Sequence, residues 1–259
     1  MSWLTRGFEV FDPDPAVAAW IGTAGPAALA AASEPERQRA WLRHGGTWFV
    51  GVDVLGNDRD GVVGTGPPLR GAARTAAEAV TGRLPLHPGQ VSVTYPGYPA
   101  RDLDESEAAH RFRRLRDAAH LDGLLPIGLD KRRFLKEMHG YILGIAVTEA
   151  DADAAPLTVW EGSHCLIRDS FAAALEGHPP AEWARIDLTE IYKTVRQEIF
   201  AQCPRLEVPL RPGQSVLVHR HAIHGVAPWA DGARAGRDGR AIVYFRPLLD
   251  RAEDWLALP

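Results

Sequence analysis

The chain has 259 residues with 46% hydrophobic content, enough to fill one sizeable core. A formal charge of -4 argues against a general nucleic-acid binder, which carries a basic excess, so any anionic partner must be met by local clusters. Cys165 and Cys203 are too few for a disulfide framework and are read as reduced thiols.

The start, "MSWLTRGFEVFDPDP", has no signal-peptide core, and no run of about 18 or more apolar residues stands out anywhere. The expectation is a cytoplasmic protein without a membrane span. Residues 14–44 are Ala-rich, with apolar residues at helical spacing and helix starts at Asp14-Pro15 and Ser33-Glu34-Pro35. They predict two helices, or one interrupted at Gly25-Pro26. "GTWFVGVDVL" (46–55) reads as a strand, "RTAAEAV" as a short helix and "GQVSVTYPGYP" (89–99) as a strand ending in prolines. "DESEAAHRFRRLRDAAHL" (104–121) opens as a helix with acids in its first turn and bases later.

Strands crowd the C-terminal half, over 141–150, 156–164, 205–210, 214–221 and 240–248. They are short, broken by Gly, Pro and Asp turns, and lack βαβ alternation, which favours an antiparallel sandwich or barrel. A helical stretch, about 168–202, looks like an insertion. One domain over 1–259 is expected, with 1–85 as an N-terminal helical and strand support region and 86–259 as the core.

The chemistry starts in "LVHRHAIHGVAPW" (217–229), where His219, His221 and His224 cluster. They form a metal site, a proton relay or a chance grouping; on a strand, His219 and His221 share a face. A metal site for oxygen chemistry needs two histidines and a carboxylate. The chain has one His-x-Asp pair, His120 and Asp122, and in an extended segment residues i and i+2 project to the same side. The plain alternative is a helix end closed by an Asp122-Gly123 turn.

The order of the pieces is more telling: "HLDGL" at 120–124, "PLTVWEGSHCL" at 156–166, "RPGQSVLVHRHAIHGVAPW" at 211–229 and "GRAIVYF" at 239–245. Together they resemble the Fe(II)/2-oxoglutarate-dependent oxygenases of the phytanoyl-CoA dioxygenase type. The resemblance implies a mainly β, α+β chain built on a double-stranded β-helix, the cupin-like jelly roll, with flanking helices. It implies Fe(II), 2-oxoglutarate and O2 as cofactor and cosubstrates, and hydroxylation of an unactivated C–H bond with release of succinate and CO2. Halogenating relatives lack the carboxylate, so Asp122 favours hydroxylation. His120, Asp122 and His224, the histidine followed by glycine, become the metal ligands, and His219 and His221 fall to supporting or packing positions. Arg240, opening the last strand, is implied as the anchor of the 2-oxoglutarate distal carboxylate, with Arg246 on the same face as the fallback; Arg234 and Arg237 sit in a solvated loop. Family members often place a hydroxyl where this chain has Val226, so a second cosubstrate contact falls to His139 or Tyr95.

Tyr98 and Trp160 are the candidate pocket residues for a small-molecule or acyl substrate. "HRFRRLR" (110–116) and "DKRRFLK" (130–136) suit an anionic group, or are solvated basic faces. The insertion either caps the site or is a surface feature. Two other classes stay open. In a cupin-like metal protein without 2-oxoglutarate, Gly213 and His219-x-His221 would start the motif, though its glutamate is missing. The other is a noncatalytic jelly-roll binding protein.

Overall fold

The computed structural model describes residues 2–259, beginning with helix α1 (Ser2–Arg6) and strand β1 (Phe8–Phe11). Helix α2 spans Pro15–Ser33, capped by the Asp14 carboxylate, which accepts from the Ala16 N–H at 2.8 Å. The break foreseen as one option at Gly25-Pro26 does not occur. Pro26 lies inside the helix, and Trp20, Ala24 and Ala28 continue one buried face past it, which outweighs the single lost backbone bond. The chain breaks instead before α3 (Pro35–Trp41). Contrary to the sequence reading, α2 is long and apolar enough by length and composition to cross a membrane, with mean hydropathy 1.3; its apolar face is packed in the core here.

In chain order there follow β2 (Leu42–Arg43), β3 (Trp48–Gly51), α4 (Ala72–Thr81), β4 (Gln90–Thr94), α5 (Glu107–Arg116), β5 (Leu124–Ile127) and β6 (Arg132–Leu135). Then come β7 (Tyr141–Ala146), β8 (Leu157–Trp160), α6 (Ser163–Leu175), a 3-10 turn (Pro180–Arg185), α7 (Thr189–Gln202), β9 (Arg205–Val208), β10 (Ser215–His219), β11 (His224–Val226), β12 (Arg240–Phe245) and α8 (Asp254–Ala257).

The strands form a large antiparallel sheet, β1-β10-β7-β12-β4-β3-β2, a small one, β11-β8-β9, and a separate β5-β6 hairpin. His120 pairs with His224, so the segment after α5 adds a fourth lane beside β11. The lanes β10-β7-β12-β4 thus face β9-β8-β11 and this segment, which is the jelly roll. Residues 1–85 do more than support it, since β1, β2 and β3 are strands of the large sheet.

The large sheet is covered on both faces, so its strands are apolar throughout yet still two-sided. On β7, Tyr141, Leu143 and Ile145 face the helical layer with Trp20 and Phe245, whereas Ile142 and Ala146 face the small sheet with Leu157, Val159 and Val218. Burial of each Leu, Ile, Val or Phe among them stabilises by about 1.5–3 kcal/mol. On β12 the same alternation sends Ala241, Val243 and Phe245 to the helices and Ile242 and Tyr244 inward. Arg240 and Arg246 share that inward parity. The insertion has its own apolar cluster, where Ile167 and Phe171 of α6 and Tyr192, Val195 and Ile199 of α7 pack on Trp160 and Leu121.

Candidate metal centre

Helix α5 stops because Asp117 and Ala118 adopt left-handed backbone angles, φ 54 and 52, turning the chain into an extended segment. Asp117 is 2% exposed and both its oxygens are held by the Arg205 guanidinium, at 2.5 and 3.1 Å. Its carbonyl accepts from the Val226 N–H at 3.0 Å. The next two residues carry the pairing: the His120 N–H donates to the His224 carbonyl at 2.9 Å and the His224 N–H to the His120 carbonyl at 3.2 Å. Two glycines permit this approach. A Cβ on Gly225 would lie 2.2 Å from the Asp117 oxygen, and one on Gly123, at φ +80, would lie 1.9 Å from the Glu137 oxygen.

The imidazoles are oriented from behind. His120 Nδ1 lies 3.1 Å from the Ala118 carbonyl and His224 Nδ1 3.0 Å from the Ala222 carbonyl, so each Nδ1–H donates to backbone and each Nε2 lone pair is left for a metal. Those Nε2 atoms lie 3.3 Å and 3.7 Å from Asp122 Oδ1 and Oδ2. The three ligand atoms fall within 4.8 Å of one another, the one such group among the described residues. Burial would push the Asp122 carboxyl up, but its neighbours His120, His224 and the Arg246 guanidinium outweigh it and hold it well below the usual carboxylate range. Burial pushes His224 down to about 4 against the opposing pull of Asp122. At neutral pH these two groups need no deprotonation before binding a cation.

A cavity of about 230 Å³ lies between the sheets, with Trp48, Ser92, Tyr98, Ile142, Val218 and Tyr244 in its wall and His120, Asp122, His224 and Arg246 at the ligand end. Arg246 donates from Nη2 to Gln90 Oε1 at 2.7 Å, and its Nη1 stands 3.5 Å from Asp122 Oδ1. Arg240, 4% exposed, pairs with Thr94 of β4; it interacts with Tyr244 and Tyr98 and is not itself in the cavity wall. Burial lowers its pKa, with Tyr244 and then Tyr98 acting against the shift. Its Nη2, the Thr94 hydroxyl and the Tyr244 hydroxyl are buried without hydrogen-bond partners. Tyr98 is pushed up to about 12 by burial.

The other sequence candidates lie elsewhere. His139 reaches the Arg246 carbonyl at 2.8 Å and Glu137 at 3.2 Å; it props the Arg246 backbone from outside and is not in the cavity wall. Tyr95 packs against the helical-layer core. Trp160, 1% exposed, packs on Phe200 with ring centroids 5.3 Å apart. It belongs to the insertion cluster and not to the wall, because strand alternation points Trp160 away from the inter-sheet space that Leu157 and Val159 fill. Arg234 and Arg237 are solvent-exposed. His219 and His221 meet edge-on, His219 also lying tilted against Trp3 and His164 and His221 edge-on to Trp255, and burial holds both well below the ordinary histidine value.

Sequence reasoning passed over Tyr244, Ser92 and Gln90. A period-two reading of "RAIVYF" would have put Tyr244 beside Arg240, and the same reading of "QVSVT" would have put Ser92 and Thr94 inward.

No family model matches the sequence, and no curated protein matches it either. Among solved structures the chain is similar to the non-heme alpha ketoglutarate dependent carbocyclase SnoK from nogalamycin biosynthesis, at 16% identity and TM-score 0.46, over 94% of this chain and 81% of that one. It is similar to AviO1 from Streptomyces viridochromogenes Tue57 at 18% identity and TM-score 0.45, over 96% and 93%. A third is iron-bound EctD from S. alaskensis, at 12% identity and TM-score 0.42, over 95% and 74%. Identities and TM-scores this low leave the chemistry to the side chains.

Proposed function

We propose that the chain is an Fe(II)- and 2-oxoglutarate-dependent oxygenase of the phytanoyl-CoA dioxygenase type, hydroxylating an unactivated C–H bond of a small-molecule substrate with release of succinate and CO2. The observation that carries this reading is the convergence of His120 Nε2, His224 Nε2 and the Asp122 carboxylate. Two imidazoles and one carboxylate on one side, with the other side free, is the donor set of non-heme iron oxygenases. Bound iron and 2-oxoglutarate would supply the activation of O2 and the oxidising power.

The chain's own residues supply the rest. The Ala118 and Ala222 carbonyls fix the two imidazoles, and Arg246 steadies Asp122. Arg240 is a guanidinium buried with a free Nη2 and two orphan hydroxyls beside it, a surrounding that fits a carboxylate and leaves a donor unpaired without one. We assign it the distal carboxylate of 2-oxoglutarate; Arg246, closer to Asp122, is the alternative.

The test is anaerobic addition of Fe(II) and 2-oxoglutarate, read as the weak visible charge-transfer band of the chelate. The band is expected in the wild type, absent in His224→Ala and retained in His219→Ala and His221→Ala. The opposite pattern would sink the ligand assignment and favour the cupin reading. That reading is not favoured here, since the rings of His219 and His221 turn into an aromatic cluster that no carboxylate joins.

A further inference from the structure

His120 and Asp122 form a shared wall. Behind them is the inter-sheet cavity; in front, a groove of about 410 Å³ opens between α5, the β5-β6 hairpin and α7. Its charge is lopsided: Arg113, Arg133, Arg196 and Arg246 line it, against Glu137 and Asp122. Most of these are already engaged. Arg113 takes Glu105 at 2.9 Å, Arg246 takes Gln90 and Asp122, and Glu137 takes His139. That leaves Arg133 and Arg196 without a carboxylate partner among the described residues.

Both are held in place without being neutralised. The Arg133 N–H donates to Thr189 Oγ1 at 2.8 Å, fixing its backbone to α7, while its Nη1 has only the Leu124 carbonyl at 3.5 Å. Arg196 lies over the Tyr192 and Phe112 rings, each 5.1 Å from ring centroid to guanidinium carbon. Stacking uses the face of the guanidinium, so apart from its contact with the Tyr192 phenol its in-plane N–H donors have no partner among the described residues. Burial pushes the Tyr192 phenol up, and the charges of Arg196 and Arg133 both pull against it. The rest of the groove is apolar, with Leu121, Leu124, Leu125 and Pro126.

A neutral or cationic ligand would leave both guanidinium groups unpaired in a half-buried site, whereas an anion would satisfy them with charge-assisted bonds. We infer that this groove is the substrate site, and that Arg133 and Arg196 bind the anionic group, a carboxylate or a phosphate, of an amphiphilic substrate. Its apolar part lies along Phe112, Leu124 and Leu125 toward His120 and Asp122. The inference rests on the oxygenase reading for where reaction occurs, but not for binding itself.

The probes are octyl phosphate and octanoate, titrated calorimetrically into the metal-free full-length protein in chelator, with octanol and octyltrimethylammonium as neutral and cationic counterparts. Saturable binding of one or both anions is expected, and the stronger of the two identifies the head group. Arg196→Gln and Arg133→Gln should each weaken it about tenfold or more, the worth of one charge-assisted hydrogen-bond pair. Arg114→Gln, on the exposed side of α5, should leave it unchanged. Should Arg196→Gln unfold, Arg196→Lys, which keeps the cation over the rings, and Arg133→Gln carry the comparison. Octanol binding as tightly as the anions, no saturable anion binding, or an equal loss with Arg114→Gln would overturn the inference. Because no iron is present, loss of the charge-transfer band with anion binding intact removes only the oxygenase reading, and the reverse removes only this site.

Discussion

Gly225→Ala puts one methyl group where the two lanes of the candidate metal site meet. The added carbon would sit 2.2 Å from the Asp117 carbonyl oxygen, and a carbon–oxygen contact needs about 3.3 Å, so the lanes must part by about 1 Å. The carbonyl cannot yield freely: it accepts from the Val226 N–H at 3.0 Å, and the Asp117 side chain is locked by Arg205. Overpacking of this kind costs about 1–3 kcal/mol, and loss of the Val226 bond adds about 1 kcal/mol. The expected fall in Tm is about 4–15 °C. The separation also pulls His120 from His224, and the three ligand atoms no longer meet one ion, so Co(II) affinity, read by visible absorbance titration, should drop about 10–100-fold, as when the groups orienting ligands are lost. Unchanged Co(II) affinity would refute the claim that this glycine sets the ligand geometry, whatever the Tm.

Other outcomes follow from the same arrangement of side chains. Arg240→Ala should raise the 2-oxoglutarate needed to develop the charge-transfer band by about tenfold or more, with Fe(II) binding retained; an unchanged requirement, with a rise for Arg246→Ala, would move the anchor. His219 and His221 are held neutral by burial, so the unfolded chain binds protons the folded chain refuses. Stability should therefore fall as pH drops below the unfolded histidine value of about 6.5, approaching about 1.4 kcal/mol per pH unit for each group. Denaturant titrations from pH 8 to 5 check this, and His221→Phe, which removes two buried unpaired nitrogens, should make the slope shallower; an identical slope would reject His221 as a contributor.

What the sequence determined by itself is local and periodic. Asp14-Pro15 dictated a helix start because a side-chain cap and a fixed φ act within one turn. An i, i+2 pair in an extended segment put His120 and Asp122 on one side, and strand parity put Arg240 and Arg246 on one face. Tertiary structure decided what depends on distant lanes. His224 rather than His219 or His221 meets His120 because an antiparallel backbone pair, made possible by Gly225 against Asp117, fixes that register. Trp160 leaves the pocket because the insertion packs on the outer face of its strand. Arg133 and Arg196 share one groove because Thr189 ties the β5-β6 hairpin to α7. In the sequence these two were a basic run and an insertion residue, although Tyr192, Arg196 and Phe200 at i, i+4 spacing already marked one face of a helix.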